Sequence, residues 1–150
     1  MISESRFPSP DSRFPFIWPI RVYWEDTDAG GVVYHASYLR FLERARSEWL
    51  RSLGHAQQVL RDREDVVFVV RSMRLEFLRA ARLDDELDVD VVPAALRPAS
   101  LLLAQTIRRG GETVLSAEVK VACVTASDFR PRALPAALGT DLGRSAKRSA

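Results

Sequence analysis

The chain has 150 residues, of which 47% are hydrophobic and 28% are charged, and its formal net charge is +2. This length and apolar content predict one globular domain with a hydrophobic core and exclude an intrinsically disordered protein. Basic and acidic residues are interspersed and balance at 17 each between residues 19 and 135. The sequence therefore does not indicate a nucleic-acid-binding face, which would concentrate one sign of charge.

Membrane and secretion signals are not evident in the sequence. The longest aliphatic or aromatic run is Val66 to Val70, whereas a membrane-spanning helix needs about 20 apolar residues. Glu4 and Asp11 interrupt the start of the chain, where a secretory signal would be apolar. A single cysteine, Cys123, excludes an internal disulfide framework and a cysteine-rich zinc site. We expect a cytoplasmic protein with no integral membrane segment.

Composition divides the chain into three segments. Residues 1–17 are rich in Ser, Pro, Arg and Phe without periodicity, which predicts an unstructured lead-in. Residues 18–137 carry the periodic patterns of one domain. Residues 138–150 predict a flexible basic tail.

The first elements of the domain are a strand, a loop and a long helix. Arg21 to Trp24 predicts a short strand after Pro19, and Glu25 to Gly31 combines acids with two glycines, as loops do. A helix is predicted over 35–53, ending before Gly54, and Gln57 to Arg63 predicts a further short helix. The long helix is predicted from apolar residues at helical spacing: Tyr38, Phe41, Leu42, Ala45, Trp49 and Leu53.

Beyond the helices the apolar period changes to two, which predicts strands. Alternation runs through residues 73–78, 87–92, 101–107 and 113–123, and Arg108 to Gly111 has the composition of a hairpin turn. Consecutive strands with short connections pair antiparallel, and a helix with one apolar stripe must bury it. The predicted architecture is an α+β fold, with an antiparallel sheet curled around the long helix. An exposed sheet edge also predicts pairing with a second copy.

The stretch from Trp24 to His35, WEDTDAGGVVYH, carries the candidate chemistry. Three carboxylates and two glycines come directly before the predicted helix, whose start offers unpaired N–H groups and about half a positive charge. A carboxylate beside such N–H groups combines a nucleophile or base with an oxyanion site, which acyl transfer requires.

Other interpretations of this loop use the same residues. Acidic, glycine-containing loops are most often turns and helix caps. The Asp26-x-Asp28 start resembles a calcium loop, but its twelfth position is Ser37 instead of a glutamate. Neither a P-loop nor a dinucleotide fingerprint is present in the sequence. No metal-ligand spacing occurs apart from this loop, so we predict no metal and no cofactor.

Residues 24–38, WEDTDAGGVVYHASY, resemble the signature of hotdog-fold acyl-CoA thioesterases of the 4-hydroxybenzoyl-CoA thioesterase group. The resemblance is greatest to the YbgC branch, which is associated with the Tol-Pal system. It continues through FLERAR at 41–46, FVVR at 68–71, AARLDD at 80–85 and RPRALP at 130–135. The resemblance implies a hotdog fold, in which an antiparallel sheet wraps around one long central helix, and hydrolysis of an acyl-CoA to free acid and CoA.

The resemblance also implies roles for individual residues. Asp28, the second Asp of the pair, corresponds to the catalytic carboxylate, which acts either as nucleophile or as general base. The oxyanion donor falls at the backbone N–H of His35, and the side chains of Tyr34 and His35 line the same region. The turn from Arg97 to Ser100 corresponds to the place where related enzymes hold CoA phosphates. Arg71, Arg74 and Arg82 are equal candidates for the contact made by Arg97.

Implied partners are the acyl-CoA substrate and further copies of the chain, as a homodimer or homotetramer. Acyl carrier protein is an additional candidate. Alternatives to the hydrolase are a low-turnover adaptor that binds acyl-CoA or acyl carrier protein near the inner face of the cytoplasmic membrane, and a hotdog dehydratase. Glu43 is a candidate second acid, although an Arg-paired structural role is favoured. His55 is expected at the surface and Cys123 in the core.

Overall fold

The computed structural model describes residues 15–149, with side-chain surroundings up to residue 142. Most of the lead-in predicted for residues 1–17 therefore lies outside the described residues. The described chain forms an α+β fold with one five-stranded sheet, in which every neighbouring pair is antiparallel and the spatial order is β1-β3-β4-β5-β2. The strands are β1 (Phe16–Arg21), β2 (Val66–Phe77), β3 (Glu86–Arg97), β4 (Ser100–Arg109) and β5 (Glu112–Thr125).

The first strand lies earlier in the chain than predicted. It spans Phe16–Arg21 and pairs with β3, with Pro19 opposite Asp88, whereas the sequence predicted a strand from Arg21 to Trp24. A proline lacks the N–H that an inner strand needs, but an edge strand tolerates it. Because β1 is the edge of the sheet, Pro19 does not exclude strand structure here.

Three α-helices accompany the sheet within residues 15–149. They are α1 (Ser37–Ser52), α2 (Gln57–Glu64) and α3 (Ala136–Ser149), and a short 3-10 helix spans Trp24–Asp26. The predictions of a helix over 35–53 and of a short helix from Gln57 are confirmed. Gly54, at a φ of +85°, follows α1 as the stop that the sequence predicted.

The core lies between α1 and the inner face of the sheet. Removing such side chains from water contributes about 1.5–3 kcal/mol for each large one. Inward-facing strand residues such as Leu87, Val89, Leu103, Ile107 and Val119 meet the helix in one continuous cluster. The buried apolar residues of α1 in that cluster are Tyr38, Phe41, Leu42, Ala45, Trp49 and Leu50.

The C-terminal segment is a helix, where the sequence predicted a flexible tail from residue 138. Leu138 and Leu142 of α3 are fully buried in the core cluster. Their spacing of four residues forms an apolar stripe that Gly139 and Thr140 between them obscured. His55 was expected at the surface but is half-buried, with Nε2 3.0 Å from Asp141 Oδ2 of α3.

A cluster of ion pairs connects the β4–β5 hairpin to the loop before β3. The Arg109 guanidinium donates to Asp85 Oδ2 at 2.7 Å, to Ala80 O at 3.0 Å and to Glu112 Oε1 at 2.7 Å. The backbone N–H of Arg82 donates to the same Asp85 oxygen at 2.8 Å. Partial burial alone would raise the pKa of Asp85, but the hydrogen bonds and charges of Arg109 and Arg82 outweigh it and lower that pKa.

We predict that Asp85→Asn lowers the free energy of unfolding by about 1 kcal/mol at neutral pH, because it weakens the charge-assisted hydrogen bonds from Arg109 and Arg82. The effect is no larger because solvent partly screens these charges. The pKa of Asp85 is depressed in the folded state. Its stabilisation is therefore present above the ordinary aspartate pKa of about 3.9 and is lost as pH falls through the lower folded-state pKa. Urea unfolding at several pH values should show the wild type and the variant converging in acid.

Glu64→Gln is the matched control for this prediction. Glu64 is exposed at the end of α2 and has no ion pair within the described part of the chain. Its replacement should leave stability within about 0.5 kcal/mol of the wild type at every pH. Equal stability of Asp85→Asn and Glu64→Gln at neutral pH would contradict the role given to the Arg109 cluster.

Candidate active site

The acidic loop before α1 closes into a tight turn. Thr27 and Val33 form a β-bridge, and the N–H of Asp28 donates to Val32 O at 2.9 Å. Gly31 lies within this turn at a φ of +79°, a conformation that side-chain-bearing residues rarely adopt. The turn presents Asp28 at its start and leads directly into the first residues before α1.

The two aspartates of the loop have different surroundings. Asp26 is 2% exposed, and its carboxylate accepts a 2.8 Å hydrogen bond from the N–H of Tyr23. Asp28 is exposed, and its carboxylate accepts one hydrogen bond within the described residues, from the N–H of Gly30 at 2.8 Å. Asp26 therefore caps the 3-10 helix, whereas most of the acceptor capacity of Asp28 is directed to solvent.

The start of α1 leaves backbone donors available. Ala36 occupies the N-cap position, and no side chain caps the helix. The N–H of Ser37 donates a hydrogen bond to Tyr34 O at 2.8 Å. In contrast, the N–H groups of His35 and Ala36 have no hydrogen-bond partner among residues 15–149. A helix N-terminus with unpaired N–H groups favours a negatively charged oxygen.

Contacts with the loop before β3 hold this segment in place. The N–H of Val33 donates to Ala81 O at 2.8 Å, and Val32 forms a β-bridge with Arg82. The N–H of Ala81 in turn donates to the buried hydroxyl of Tyr38 at 3.0 Å. Burial raises the pKa of Tyr38, although the hydrogen bond from Ala81 opposes this, so its phenol stays neutral at physiological pH. The sequence predicted Tyr38 as a core residue only, because helical spacing does not reveal what a buried hydroxyl binds.

Tyr34 and His35 lie next to each other on the surface before α1. Both side chains are exposed, and their ring centroids are 4.5 Å apart at an interplanar angle of 49°. This contact orients the two rings relative to each other beside the free N–H groups. The three residues predicted for catalysis, Asp28, Tyr34 and His35, therefore belong to one loop and one helix start.

Within one chain, the residues predicted to contact CoA lie at the other end of the sheet. Ser100 and Val69 flank Ala122 in one row across the strands, and Arg97 pairs with Ser100. The helix start lies instead near Phe77, whose ring is 5.9 Å from that of Tyr38. Phe77 comes eight positions after Val69 along β2, which corresponds to roughly 26 Å. The exposed Arg71 lies at a β-bulge in β2, between these rows.

A cavity of about 310 Å³ runs along α1, between the helix and strands β2, β4 and β5. Glu43, the candidate second acid, is exposed at this cavity and has no ion pair in the described part of the chain. Cys123 is buried in the core, as expected. The apolar side chains of the lining are Leu39, Trp49, Leu50, Phe68, Val70, Met73, Leu101, Leu103 and Val121, and the polar ones are Arg40, Glu43, Arg46 and Gln57.

Neither a metal cluster nor a membrane span is found within residues 15–149. No group of three or more His, Cys, Asp or Glu side chains in that range is arranged to hold a metal ion. No helix there is both long and apolar enough to cross a membrane.

Known proteins with similar sequences and structures identify the family. Residues 30–116 match the thioesterase superfamily. The acyl-CoA thioester hydrolase YbgC of Escherichia coli is 52% identical over 121 residues, which cover 80% of this chain and 90% of that protein. The acyl-CoA thioesterase YbgC of Haemophilus influenzae is 46% identical over 120 residues, covering 80% of this chain and 88% of that protein.

A solved structure supports the same assignment. The crystal structure of a probable thioesterase from Bartonella henselae superimposes with a TM-score of 0.78 at 38% sequence identity, covering 81% of this chain and 99% of that one. The resemblance seen in the sequence is confirmed over most of the chain. The protein belongs to the thioesterase superfamily and, within it, to the family of YbgC acyl-CoA thioester hydrolases.

Proposed function

We propose that this protein hydrolyses acyl-CoA thioesters at the loop before α1. The carboxylate of Asp28 attacks or activates water, and the backbone N–H of His35 binds the oxygen that becomes negatively charged. The main observation in favour is that an exposed carboxylate with one hydrogen bond lies on the loop that leads into an uncapped helix start. These groups match the needs of acyl transfer, a nucleophile or base and preorganised donors for an oxyanion.

Either role of Asp28 gives a balanced reaction. As a general base, Asp28 takes a proton from water, the hydroxide adds to the thioester carbon, and the His35 N–H stabilises the resulting oxyanion. The oxyanion then collapses, the C–S bond breaks, and the proton passes to the departing thiolate. As a nucleophile, Asp28 displaces the thiolate to form an anhydride, which water then hydrolyses to the free acid. The exposed rings of Tyr34 and His35 position the acyl-CoA beside these groups.

We infer that α1 is the central helix of the hotdog architecture, with the sheet wrapped around it. Its apolar face is buried from Tyr38 to Leu50 against the inner face of the sheet. In such an arrangement the sheet holds the helix start at a fixed place, which keeps the His35 N–H aligned with the Asp28 loop.

A second copy of the chain completes the CoA site in this proposal. β2 is an edge strand of 12 residues and presents the exposed apolar side chains of Val70 and Phe77. An uncovered edge of this length favours pairing with another strand, and a two-fold axis makes that pairing antiparallel. Arg97 and Ser100 of each subunit would then lie toward the end of the partner subunit that carries Asp28. Arg71 would lie near the interface between the two β2 strands.

We predict that Asp28→Asn lowers kcat for thiol release from acyl-CoA by about 100- to 10,000-fold, the usual contribution of an essential acid–base group. The amide oxygen of Asn still accepts the hydrogen bond from the Gly30 N–H, so the melting temperature should change little. A thiol-release assay over a panel of acyl-CoAs measures the effect. Asp62→Asn, an exposed aspartate on α2, is the matched control and should keep the wild-type rate. An undiminished rate in Asp28→Asn would refute the mechanism. If the wild type binds acyl-CoA tightly but releases no thiol, the result would favour the alternative of a low-turnover acyl-CoA-binding adaptor.

We predict that Gly30→Ala impairs the same step without unfolding the protein. A Cβ at residue 30 would lie 3.1 Å from Asp28 Oδ1, which is tight enough to displace the carboxylate. The expected loss in kcat is about tenfold, because a small misplacement of a catalytic group is costly. Gly111→Ala is the control, since nothing lies within 4 Å of a Cβ there and its φ is not positive. Equal kcat values for the two variants would contradict a placement requirement at Asp28.

We predict that variants in the two halves of the site complement each other. Asp28→Asn and Arg97→Ala proteins should each show reduced kcat/KM as pure oligomers. Random mixing by co-expression should restore about a quarter of the wild-type kcat/KM, because half of the two-fold dimers are mixed and each contains one intact site. Activity no higher than the mean of the two pure variants would show that Arg97 and Asp28 do not act across a subunit interface.

A further inference from the structure

Arg46 brings a buried positive charge into the cavity beside α1. The residue is 9% exposed and its side chain lines the cavity, where most of the other lining residues are apolar. Within the described residues its side chain makes one hydrogen bond, from Nη1 to Gln105 Oε1 at 3.0 Å, and no ion pair. A guanidinium has five N–H donors, so most of its donor capacity remains for another group.

Gln105 holds the guanidinium in place without neutralising it. Its amide nitrogen donates to Leu42 O at 3.1 Å and to Asp90 O at 3.3 Å, which directs its carbonyl oxygen to Arg46. The nearby carboxylate of Asp90 is engaged elsewhere, since it accepts from the N–H of Thr106 at 2.6 Å and from Arg108 at 3.1 Å. The positive charge of Arg46 is therefore oriented but not paired.

A buried charge without a counter-ion is costly, and an apolar residue of similar size would be a cheaper solution for the fold alone. Burial lowers the pKa of Arg46, and the charge of Glu43, one turn earlier on the same helix, opposes this. Glu43 is exposed and not within ion-pair distance. The nitrogens of Arg46 that Gln105 leaves free are not themselves fully buried. Because Arg46 lines the cavity, they are available to a bound molecule that supplies an acceptor.

The position of the cavity fits the acyl part of a substrate. It extends along α1 from Leu39 in the first turn to Leu50 in the last, and the first turn adjoins the free N–H of His35. Arg46 follows His35 by eleven residues, or about 16 Å along the axis, and helix side chains lean back toward the N-terminus. The volume of about 310 Å³ matches the lower end of small-molecule sites, roughly 300–1,000 Å³.

We propose that Arg46 is a specificity-determining residue, which donates hydrogen bonds to an oxygen carried by the acyl group at the end remote from the thioester. The preferred substrates are then acyl-CoAs whose acyl groups end in a carboxylate or a hydroxyl. This inference rests on the proposed function. A carboxylate accepts two N–H groups of a guanidinium at once and binds more tightly than a hydroxyl.

The test compares acyl-CoAs of equal chain length that differ only at the remote end: hexanoyl with adipoyl, and octanoyl with suberoyl and 8-hydroxyoctanoyl. At the better-fitting length, kcat/KM should be about 10- to 100-fold higher for the carboxylate and several-fold higher for the hydroxyl than for the methyl end. Arg46→Met should remove these preferences while retaining activity on the unsubstituted acyl group. Arg46→Lys should keep part of the preference for the carboxylate.

Arg44→Met is the matched control, because Arg44 is an exposed residue of the same helix and does not line the cavity. It should keep the wild-type ratios. Ratios near one for the wild type at both lengths, or unchanged ratios in a folded Arg46→Met, would overturn the proposal.

A binding measurement keeps the inference separate from the proposed function and from the folding of the variants. Calorimetry with the wild type should show the monoamide of suberic acid, which carries one carboxylate, binding at least tenfold more tightly than octanamide, which carries none. If no acyl-CoA releases thiol, the hydrolase proposal fails, and the binding comparison still decides the role of Arg46. Equal affinity for the two amides would reject that role even in an active thioesterase.

Discussion

Burial of the apolar face of α1 against the sheet is the constraint on which the rest of the structure depends. The side chains from Tyr38 to Leu50 on that face are removed from water, which fixes the axis and the rotation of the helix. Fixing the helix also fixes where its uncapped first turn points and which of its residues reach the cavity. The Tyr38 hydroxyl extends this constraint to the loop, since it accepts from Ala81, whose carbonyl accepts from Val33.

The acidic loop separates structural from chemical roles by burial. Asp26 and Asp28 are two residues apart, yet the first satisfies the N–H of Tyr23 in the interior and the second faces solvent. A buried carboxylate that accepts the N–H of Tyr23 stabilises the turn and is not accessible to a substrate. An exposed carboxylate that accepts one hydrogen bond can receive a proton or attack a carbon. The same residue type therefore supports the fold at one position and is available for chemistry at the other.

Local patterns predicted the elements better than their arrangement. The helix over 35–53 could be predicted because its apolar residues recur over four turns, and the strands from residue 73 onward because their period is two. The first half of β2 was not predicted, because its apolar run from Val66 to Val70 does not alternate. β1 was misplaced because a proline usually argues against a strand, and the edge position that tolerates Pro19 is a property of the whole sheet. α3 was missed because its apolar stripe consists of two leucines among glycines and polar residues.

In the candidate site, too, local features could be predicted from the sequence and the arrangement of distant residues could not. Asp28, Tyr34 and His35 are close in sequence, so their common location follows from one loop. Arg97 and Ser100 are distant in sequence, and their position depends on the order β1-β3-β4-β5-β2, which puts their turn at the opposite end of the sheet from the start of α1. Burial of Arg46 also could not be predicted, because the apolar stripe gives no sign that Gln105 crosses the core to meet the helix.

Two features of α1 oppose stability, and both occur in the site proposed for the substrate. A missing N-cap side chain costs a helix about 1 kcal/mol, and an unpaired buried guanidinium adds a further cost. The fold tolerates both because the helix is held by its apolar face instead of by its ends. Stable folds usually satisfy local rules throughout, and exceptions concentrate at functional sites. The same helix has one exception at its start and another along the adjoining cavity. This arrangement supports the proposal of a single extended site, in which the helix start binds the thioester and Arg46 binds the acyl group.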